Sequence, residues 1–365
     1  MLTSVRAVLA AALILMATAG PARADELAPP AEILRTGAAA AVAHGYPGVI
    51  GLIRRGSETR YVHAGYGDLA TGAPADPTAQ FRIGSFTKAF VAVVLLQLET
   101  EHRLSIDDPL DRWIPGAVPG GTAITIQQAL AHTSGLAEYM GDPRVALPYL
   151  ANTDPRQPWA PQDLVDIATS SPRVGAPGER FFYANTNYLL AGMVITAITG
   201  NHPADEVRTR IIGPLRLRGT TFPTADPTLH GNWLHGYTWQ RDVSFSNPQV
   251  HGAAGAMVST LDDVATFTRA LYSGQLLAPA QQRQATTVPV DDTGAGYGLG
   301  VFHAQTPCGG AWVYVAAVLG YRAEMAMSDD GSRQVIAAAN EYHLLPEAPG
   351  NHDLDDAVFR AYCAL

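Results

Sequence analysis

Lysine is almost absent from this chain of 365 residues. Lys88 is the only lysine among 24 basic residues, and 33 acidic residues bring the formal net charge to −9. Nucleic acids and other phosphate-rich partners require clustered Lys and Arg side chains. Because the sequence has no basic cluster, we expect no nucleic-acid partner.

Long apolar runs are also scarce. The first one follows Arg6, covers Val8–Gly20 and precedes Ala22-Arg23-Ala24, a combination typical of a secretory signal peptide. The run is short for a membrane span, although an uncleaved anchor is the alternative interpretation. We therefore predict a signal peptide over residues 1–24, and secretion to an extracellular or periplasmic location without a stable membrane anchor.

Only two cysteines are present, Cys308 and Cys363. A pair of cysteines in an exported protein usually forms a disulfide, and this one would close a loop of about 55 residues. Such a loop is worth roughly 4 kcal/mol in the chain-entropy model. The alternative is a pair of buried thiols. Two sulfurs without suitably spaced histidines do not make a zinc site, and the sequence gives no reason to expect a metal or organic cofactor.

Strand patterns occupy the two ends of the mature chain, and helical patterns occupy its middle. A hairpin is predicted over 48–68, and strands over 312–318, 321–327 and 335–340. Helices are predicted over 31–44, 87–100, 126–131, 161–170, 187–199, 260–273 and 353–364. The predicted fold class is α+β, with one antiparallel sheet built from both terminal segments, flanking helices and an inserted helical lobe. We predict a single domain over 25–365, with 25–80 and 290–365 in the α/β lobe and 81–289 in the mainly helical lobe.

The single lysine follows Ser85 by three residues, in Gly84-Ser85-Phe86-Thr87-Lys88. If Ser85 opens a helix, this spacing puts both side chains on one face, and the helix N-terminus favours a developing anion. A desolvated lysine can lose its proton and activate a serine, whereas arginine cannot. In the alternative interpretation Ser85 is a helix cap and Lys88 is solvated. The apolar helix that follows implies burial of Lys88 and favours the catalytic interpretation.

Tyr183 and Asn185 lie about a hundred residues further on, before another apolar helix. A tyrosine hydroxyl can relay a proton, and an asparagine amide can orient the lysine. A packing tyrosine and a capping asparagine are the alternatives. Trp233 and Trp239 either line the cleft or pack under a long loop. For lone histidines, including His132, a structural role is expected.

Common hydrolase and metalloprotease motifs are missing. The sequence contains neither Gly-x-Ser-x-Gly, the nucleophile turn of the usual α/β hydrolases, nor His-Glu-x-x-His. The hydrolase hypothesis therefore depends on Ser85 and Lys88.

Taken together, these motifs resemble those of the penicillin-recognising serine hydrolases, which include secreted D-alanyl-D-alanine carboxypeptidases, class C β-lactamases and esterases. The resemblance extends over nearly the whole mature chain. The stretches that carry it are Phe81–Lys88, Leu104–Leu110, Ile124–Leu136, Phe182–Tyr188, Gly255–Thr260 and Tyr297–Gly300.

The resemblance implies a fold with a sheet from both termini and a helical lobe. It also implies a two-step acyl transfer in which Ser85 attacks a carbonyl, Lys88 and Tyr183 move the proton, and Asn185 positions substrate and lysine. Backbone N–H groups of Ser85 and Ala317 would bind the oxyanion. A disulfide near the C-terminus, as in some members, would match Cys308 and Cys363.

The third motif of that family does not match. Where the family has Lys or His, then Thr or Ser, then Gly, this sequence has Tyr314-Val315-Ala316. A basic residue found on the preceding strand in some carboxypeptidases corresponds to Phe302, next to His303. Recognition of a free substrate carboxylate would then need another cation, and Arg322 and His303 are the candidates.

We therefore expect a serine hydrolase whose substrates are small peptides with blocked ends, amides or esters, including cell-wall-derived ones. The alternative is a catalytically impaired protein on the same fold that binds cell-wall peptide or a partner.

Overall fold

The computed structural model describes residues 29–289, 294–341 and 348–365. The predicted signal peptide lies outside these ranges. The helices are α1 (Pro30–Ala43), α2 (Thr87–Thr100), α3 (Leu110–Trp113), α4 (Ile126–Leu130), α5 (Pro143–Ala151), α6 (Pro161–Thr169), α7 (Thr186–Thr199), α8 (Pro203–Val207), α9 (Gly213–Leu215), α10 (Leu261–Tyr272), α11 (Pro279–Thr286) and α12 (Pro349–Cys363).

The strands belong to one large sheet and two small ones. They are β1 (Gly48–Arg55), β2 (Glu58–Asp68), β3 (Ala73–Pro74), β4 (Phe81–Arg82), β5 (Tyr237–Thr238), β6 (Arg241–Asp242), β7 (Val258–Ser259), β8 (Gly296–Tyr297), β9 (Phe302–Thr306), β10 (Gly309–Val318), β11 (Tyr321–Met327) and β12 (Arg333–Ala339). Short 3₁₀ turns include Gly84–Phe86, Tyr139–Gly141 and Gly252–Ala254.

The large sheet joins the two ends of the chain. Its strand order is β3-β2-β1-β12-β11-β10-β9-β8, and β1, which lies inside the sheet, pairs antiparallel with both β2 and β12. Val49, for example, lies opposite Ala64 on one side and Ala339 on the other. The predicted α+β class, with an antiparallel sheet from both terminal segments, is confirmed.

Both faces of this sheet are covered. Helices α1 and α12 pack on one face around Leu34, Leu354 and Val358, and the helical middle of the chain packs on the other. Strand β1 is therefore apolar and buried over six consecutive residues instead of alternating. The predicted Cys308–Cys363 disulfide is confirmed, and it ties the β9–β10 turn to the last residue of α12.

Helix α2 runs through the centre of the helical lobe. It is apolar around its whole circumference, as expected for a helix surrounded by protein, and it is buried without interruption from Thr87 to Leu96. Lys88 lies in this buried stretch. Within the described ranges, no helix combines the length and apolar character needed to cross a membrane.

Strand β10 has an edge that is open over its second half. Strand β9 pairs with β10 only as far as Phe302 opposite Val313, whereas β11 continues to pair up to Val318. The turn Gly84–Phe86 approaches this open edge, and the Tyr314 hydroxyl donates to the Ser85 carbonyl oxygen at 2.6 Å. The fold thus brings the start of α2 against the second half of β10.

Candidate active site

Ser85 occupies a 3₁₀ turn that leads directly into α2. Gly84 has a φ of +49°, and a Cβ atom there would come within 3.2 Å of the Ala317 carbonyl oxygen. Glycine permits both this backbone conformation and this close approach. The Thr87 hydroxyl fixes the turn, since it donates to the Gly84 carbonyl at 2.7 Å and accepts from the Met257 N–H at 3.1 Å.

Lys88 is fully buried beneath Ser85. Its Nζ lies 3.1 Å from Ser85 Oγ, 2.7 Å from Asn185 Oδ1 and 2.7 Å from the Ala254 carbonyl oxygen. Burial lowers the pKa of Lys88 to about 7, against an opposing effect of Glu138. After loss of one proton, two N–H groups can stay on Asn185 and Ala254 while the lone pair faces the Ser85 hydroxyl. The amine is therefore placed to accept the serine proton.

Tyr183 lies on the other side of the nucleophile. Its hydroxyl donates to Ser85 Oγ at 2.9 Å. Burial raises the pKa of Tyr183, so the phenol stays protonated at neutral pH and acts as a hydrogen-bond donor. Its ring packs on His132 at a centroid distance of 4.2 Å and stacks with Phe302 at 6.3 Å. The sequence-predicted Ser85, Lys88, Tyr183 and Asn185 are brought together in one cluster.

Glu138 is a member of the cluster that the sequence reasoning missed. Its carboxylate accepts from the Asn185 N–H and, at 2.8 Å, from the Met140 N–H. Burial raises the pKa of this carboxyl, and the nearby Lys88 opposes the rise. The carboxylate thereby fixes the backbone of the asparagine that contacts Lys88. The sequence gives little indication of this role, because Glu138 looks like an ordinary acidic cap of the Tyr139–Gly141 turn.

His132 supports Tyr183 from behind. It is fully buried among aromatic rings, including Tyr297 at 4.8 Å, and its Nδ1 accepts from the Ala184 N–H at 3.2 Å. Burial lowers the pKa of His132 well below its usual value, so the ring is neutral. The structure places this histidine as a packing element under the nucleophile, in keeping with the structural role expected from the sequence.

The residues of the third motif do not present charge to the cleft. The ring of Tyr314 stacks on Phe86 at 4.4 Å, and its hydroxyl is engaged by the Ser85 carbonyl. Ala316 is buried, and Val315 and Ala317 are half-buried. Tyr314 thus buttresses the backbone of the nucleophile. The oxyanion role of the Ser85 and Ala317 N–H groups stays a prediction.

Arg322 is not placed in the cleft, which corrects the expectation that it contacts substrate. Its guanidinium donates to Glu324 at 2.6 Å and to Asp355 of α12 at 2.9 Å. Arg322 lies opposite Ala317 in the β10–β11 pairing, so its side chain projects on the sheet face that α12 covers. Burial alone would lower the pKa of Arg322, but the two carboxylates hold it above its ordinary value.

The other aromatic and basic candidates make their contacts with residues outside the Ser85 cluster. His303 packs edge-to-face on Trp312 at 5.0 Å, and its Nε2 is 4.0 Å from Asp329. Trp239 projects from the β5–β6 turn with 78% of its surface exposed, and Trp233 packs against the core and His235. In the part of the chain that the structure describes, no group of His, Cys, Asp or Glu side chains is arranged to hold a metal ion.

Comparison with known proteins agrees with this geometry. The protein-family model described as Beta-lactamase matches residues 31–358. Penicillin-binding protein 4* of Bacillus subtilis is 28% identical over 66% of this chain and 56% of its own length. Esterase EstB of Burkholderia gladioli is 27% identical over 70% of this chain and 75% of its own. The chain thus spans little more than half the length of the first relative and three quarters of the second.

Solved structures give longer matches. A D-stereospecific amidohydrolase from a Streptomyces species aligns with a TM-score of 0.84 and 33% identity, over 91% of this chain and 99% of its own. D-amino acid amidase from Ochrobactrum anthropi SV3 shares the fold, with a TM-score of 0.80 and 23% identity over 92% and 98% of the two chains. With its Ser-Lys-Tyr cluster and these matches over nearly its full described length, the chain belongs to the beta-lactamase family and is a serine hydrolase of that fold.

Proposed function

We propose that the chain is an exported hydrolase that forms an acyl-enzyme at Ser85 from small amide, ester or peptide substrates. The observation that carries this proposal is the placement of Ser85 Oγ between Lys88 Nζ at 3.1 Å and Tyr183 Oη at 2.9 Å. A hydroxyl between a proton acceptor of pKa about 7 and a protonated phenol has both a base and a relay for its proton.

In the acylation step, Ser85 Oγ attacks the substrate carbonyl carbon and gives its proton to the neutral Lys88. The bond to the leaving group breaks when Tyr183 donates its hydroxyl proton to the departing nitrogen or oxygen. Lys88 then returns a proton to the phenolate, directly or through the re-formed network. In the second step a water molecule attacks the acyl carbonyl carbon while Lys88 takes its proton. The bond from that carbon to Ser85 Oγ breaks, the proton returns to Ser85 Oγ, and the acid is released.

The substrate class follows from what surrounds the carbonyl site. The third-motif strand offers Tyr314, Val315 and Ala316, and the tyrosine hydroxyl is already bound to Ser85. Arg322 is held by two carboxylates on the opposite face of the sheet. His303 packs on Trp312 and lies 4.0 Å from Asp329, so each predicted cation already has a partner other than substrate. Amides, esters and peptides with blocked ends therefore fit better than the free C-termini that D-alanyl-D-alanine carboxypeptidases cleave, and the likeness to a D-stereospecific amidohydrolase supports amides.

Export is part of the proposal because of the signal-peptide pattern over residues 1–24. The Cys308–Cys363 disulfide supports it, since disulfides persist mainly in oxidising compartments. Expression of the full chain in a bacterial host tests this point. The expected result is a periplasmic or medium fraction that begins near Asp25, whereas an intact N-terminus in the cytosol would contradict export.

Acyl-enzyme formation is tested with the protein lacking residues 1–24, using p-nitrophenyl acetate, a fluorescent penicillin and amino acid p-nitroanilides, with Ser85→Ala as the control. The expected result is a burst of p-nitrophenol of one equivalent per active site and an adduct mapped to Ser85. Turnover equal to the Ser85→Ala background with every probe would overturn the proposal and favour a binding protein on this fold.

A further inference from the structure

The open edge of β10 offers few backbone groups to a substrate. Val318 and Tyr321 close the two-residue turn between β10 and β11, so Val318 and Ala316 direct their N–H and C=O groups toward β11. Ala317 directs its groups the opposite way, and its carbonyl oxygen faces Gly84 beside the nucleophile. Beyond Ala317, the next residue whose N–H points to the same side of β10 is Leu319, which lies in the turn.

That next donor is already bound. The Leu319 N–H donates to the hydroxyl of Tyr149 at 2.9 Å, and the same hydroxyl lies 2.7 Å from Nε2 of His251. The two rings meet edge-to-face at 4.9 Å. Burial, with help from Lys88 and Arg82, lowers the pKa of His251 to about 3, so the neutral ring can accept the Tyr149 O–H. We call this pair of side chains the Tyr149–His251 wall.

The leaving group and the acyl chain lie at opposite ends of the open edge. A proton donor must lie beside the leaving atom, and Tyr183 stacks with Phe302, which in turn packs against Tyr314 at 5.7 Å. The leaving group therefore lies at the Tyr314 end. With the carbonyl held at Ser85 and Ala317, the acyl part extends toward Leu319 and meets the wall.

Resting on the proposed function, we infer that the Tyr149–His251 wall limits the acyl side of the cleft to a single amino acid residue with a free α-amino group. Residues of one parity repeat about every 7 Å along a strand. A second acyl-side residue would need the Leu319 N–H and the space that the Tyr149 ring fills. The α-amino group of the first residue instead meets the Ala317 carbonyl oxygen, which can accept one of its N–H groups. The acyl donors are thus amino acid amides and esters, and the N-terminal residues of short peptides.

The test compares three p-nitroanilides that share one leaving group: phenylalanyl, N-acetyl-phenylalanyl and alanyl-phenylalanyl, each with D- and L-phenylalanine. For the wild type we expect kcat/KM to be at least roughly tenfold higher for the free-amine substrate of the preferred enantiomer, because a filled subsite rejects the longer chains. Equal or faster hydrolysis of the acylated substrates would overturn the inference and leave the proposed function intact.

Variants of the wall separate its two parts. Tyr149→Ala removes the ring and should shift the preference toward the longer substrates by roughly tenfold or more, whereas Tyr149→Phe keeps the ring and should shift it less. Tyr139→Phe is the matched control, because this buried tyrosine donates to the Val250 carbonyl at 2.6 Å, next to His251, without reaching the open edge. Its substrate preference should equal that of the wild type.

The p-nitrophenyl acetate burst counts intact active sites in each variant, since a two-carbon acyl group does not reach the wall. If Tyr149→Ala gives no burst, the inference is judged from the kcat/KM ratios of the wild type and of Tyr149→Phe. An unchanged preference in both wall variants that retain a burst would overturn the inference. Wild-type turnover equal to the Ser85→Ala background with every probe would instead overturn the proposed function.

Discussion

Two buried cations on opposite faces of the same sheet have opposite surroundings. Lys88 donates its hydrogen bonds to neutral oxygens, from a serine, an asparagine and a backbone carbonyl. Arg322 contacts two carboxylates, Glu324 and Asp355. The first environment lowers the pKa of its amine to about 7, and the second holds the pKa of its guanidinium above the ordinary value.

This difference shows how a buried positive charge becomes either reactive or structural. A cation paired with carboxylates keeps its proton and anchors the elements that carry its partners, here β11 and α12. A lysine whose hydrogen-bond partners are neutral can be buried, but burial lowers its pKa because those partners stabilise the ammonium form less than water does. Of these two cations, the arginine has the structural role and the chain's single lysine has the reactive one.

The largest loss of acylation rate should come from replacing Lys88 with arginine, which makes the two buried cations the same residue type. Lys88→Arg keeps a positive charge under Ser85 but removes the proton acceptor, so we expect acylation to slow by about 10³-fold or more. The burst phase with p-nitrophenyl acetate measures this, and Arg322→Lys on the other face is the matched control, expected to retain the burst. Normal acylation by Lys88→Arg would remove the lysine from the mechanism.

The converse change should affect stability and spare chemistry. Arg322→Met leaves the almost fully buried Glu324 without its counterion, which we expect to lower the free energy of unfolding by about 3–5 kcal/mol. Urea unfolding measures the loss, and the burst per folded molecule should be unchanged. Arg322→Met with Glu324→Gln should recover much of the stability. A single variant as stable as the wild type would show that the pair is not a structural anchor.

The pH dependence of acylation should reveal the Lys88 amine. The rate should fall about tenfold per pH unit below about pH 7, because the ammonium form cannot accept the serine proton. Glu138 raises the pKa of Lys88, so Glu138→Gln should move this midpoint to lower pH while slowing the reaction through a less well-fixed Asn185. Glu341→Gln is the control, since Glu341 instead binds the Trp239 N–H at 3.0 Å. A midpoint that stays in place in Glu138→Gln would exclude electrostatic coupling.

The smallest effect should come from the third-motif strand. Tyr314→Phe keeps the ring on Phe86 but leaves the Ser85 carbonyl without its hydroxyl partner, at a cost of about 1 kcal/mol. We expect kcat to fall several-fold with little change in KM, because the hydroxyl positions the nucleophile and does not bind substrate. A large rise in KM would instead place Tyr314 in direct contact with the substrate.

Much of the fold could be predicted because local patterns and final structure agree. The helix predicted over 87–100 and the strand predicted over 321–327 are α2 and β11 with the same bounds. The Ser85–Lys88 contact was predictable for the same reason, since a three-residue spacing within one helical segment fixes which side chains meet. Tyr183 and Asn185 required the family resemblance, because nothing local connects them to a serine almost a hundred residues away.

The misplacement of Arg322 has a physical cause. Arg322 was a candidate because recognition of a free carboxylate would need another cation, but a two-residue turn puts Arg322 opposite Ala317, and opposed residues project on the same face. Ala317 reaches the cleft with its backbone while its side chain faces α12. Glu138, Tyr149 and His251 were missed because each acts through long-range contacts that leave no periodic signal in the sequence.

The pairing of β1 with β12 also sets the order in which the molecule can be completed. Residues 48–55 emerge from the ribosome long before residues 333–339, so a partly synthesised chain carries three strands of the large sheet without the other five. The segment around Ser85 likewise waits for Tyr314, which hydrogen-bonds its carbonyl. A nascent chain can therefore hold the nucleophile and its lysine without a finished catalytic centre, and hydrolytic competence arises only near the end of synthesis.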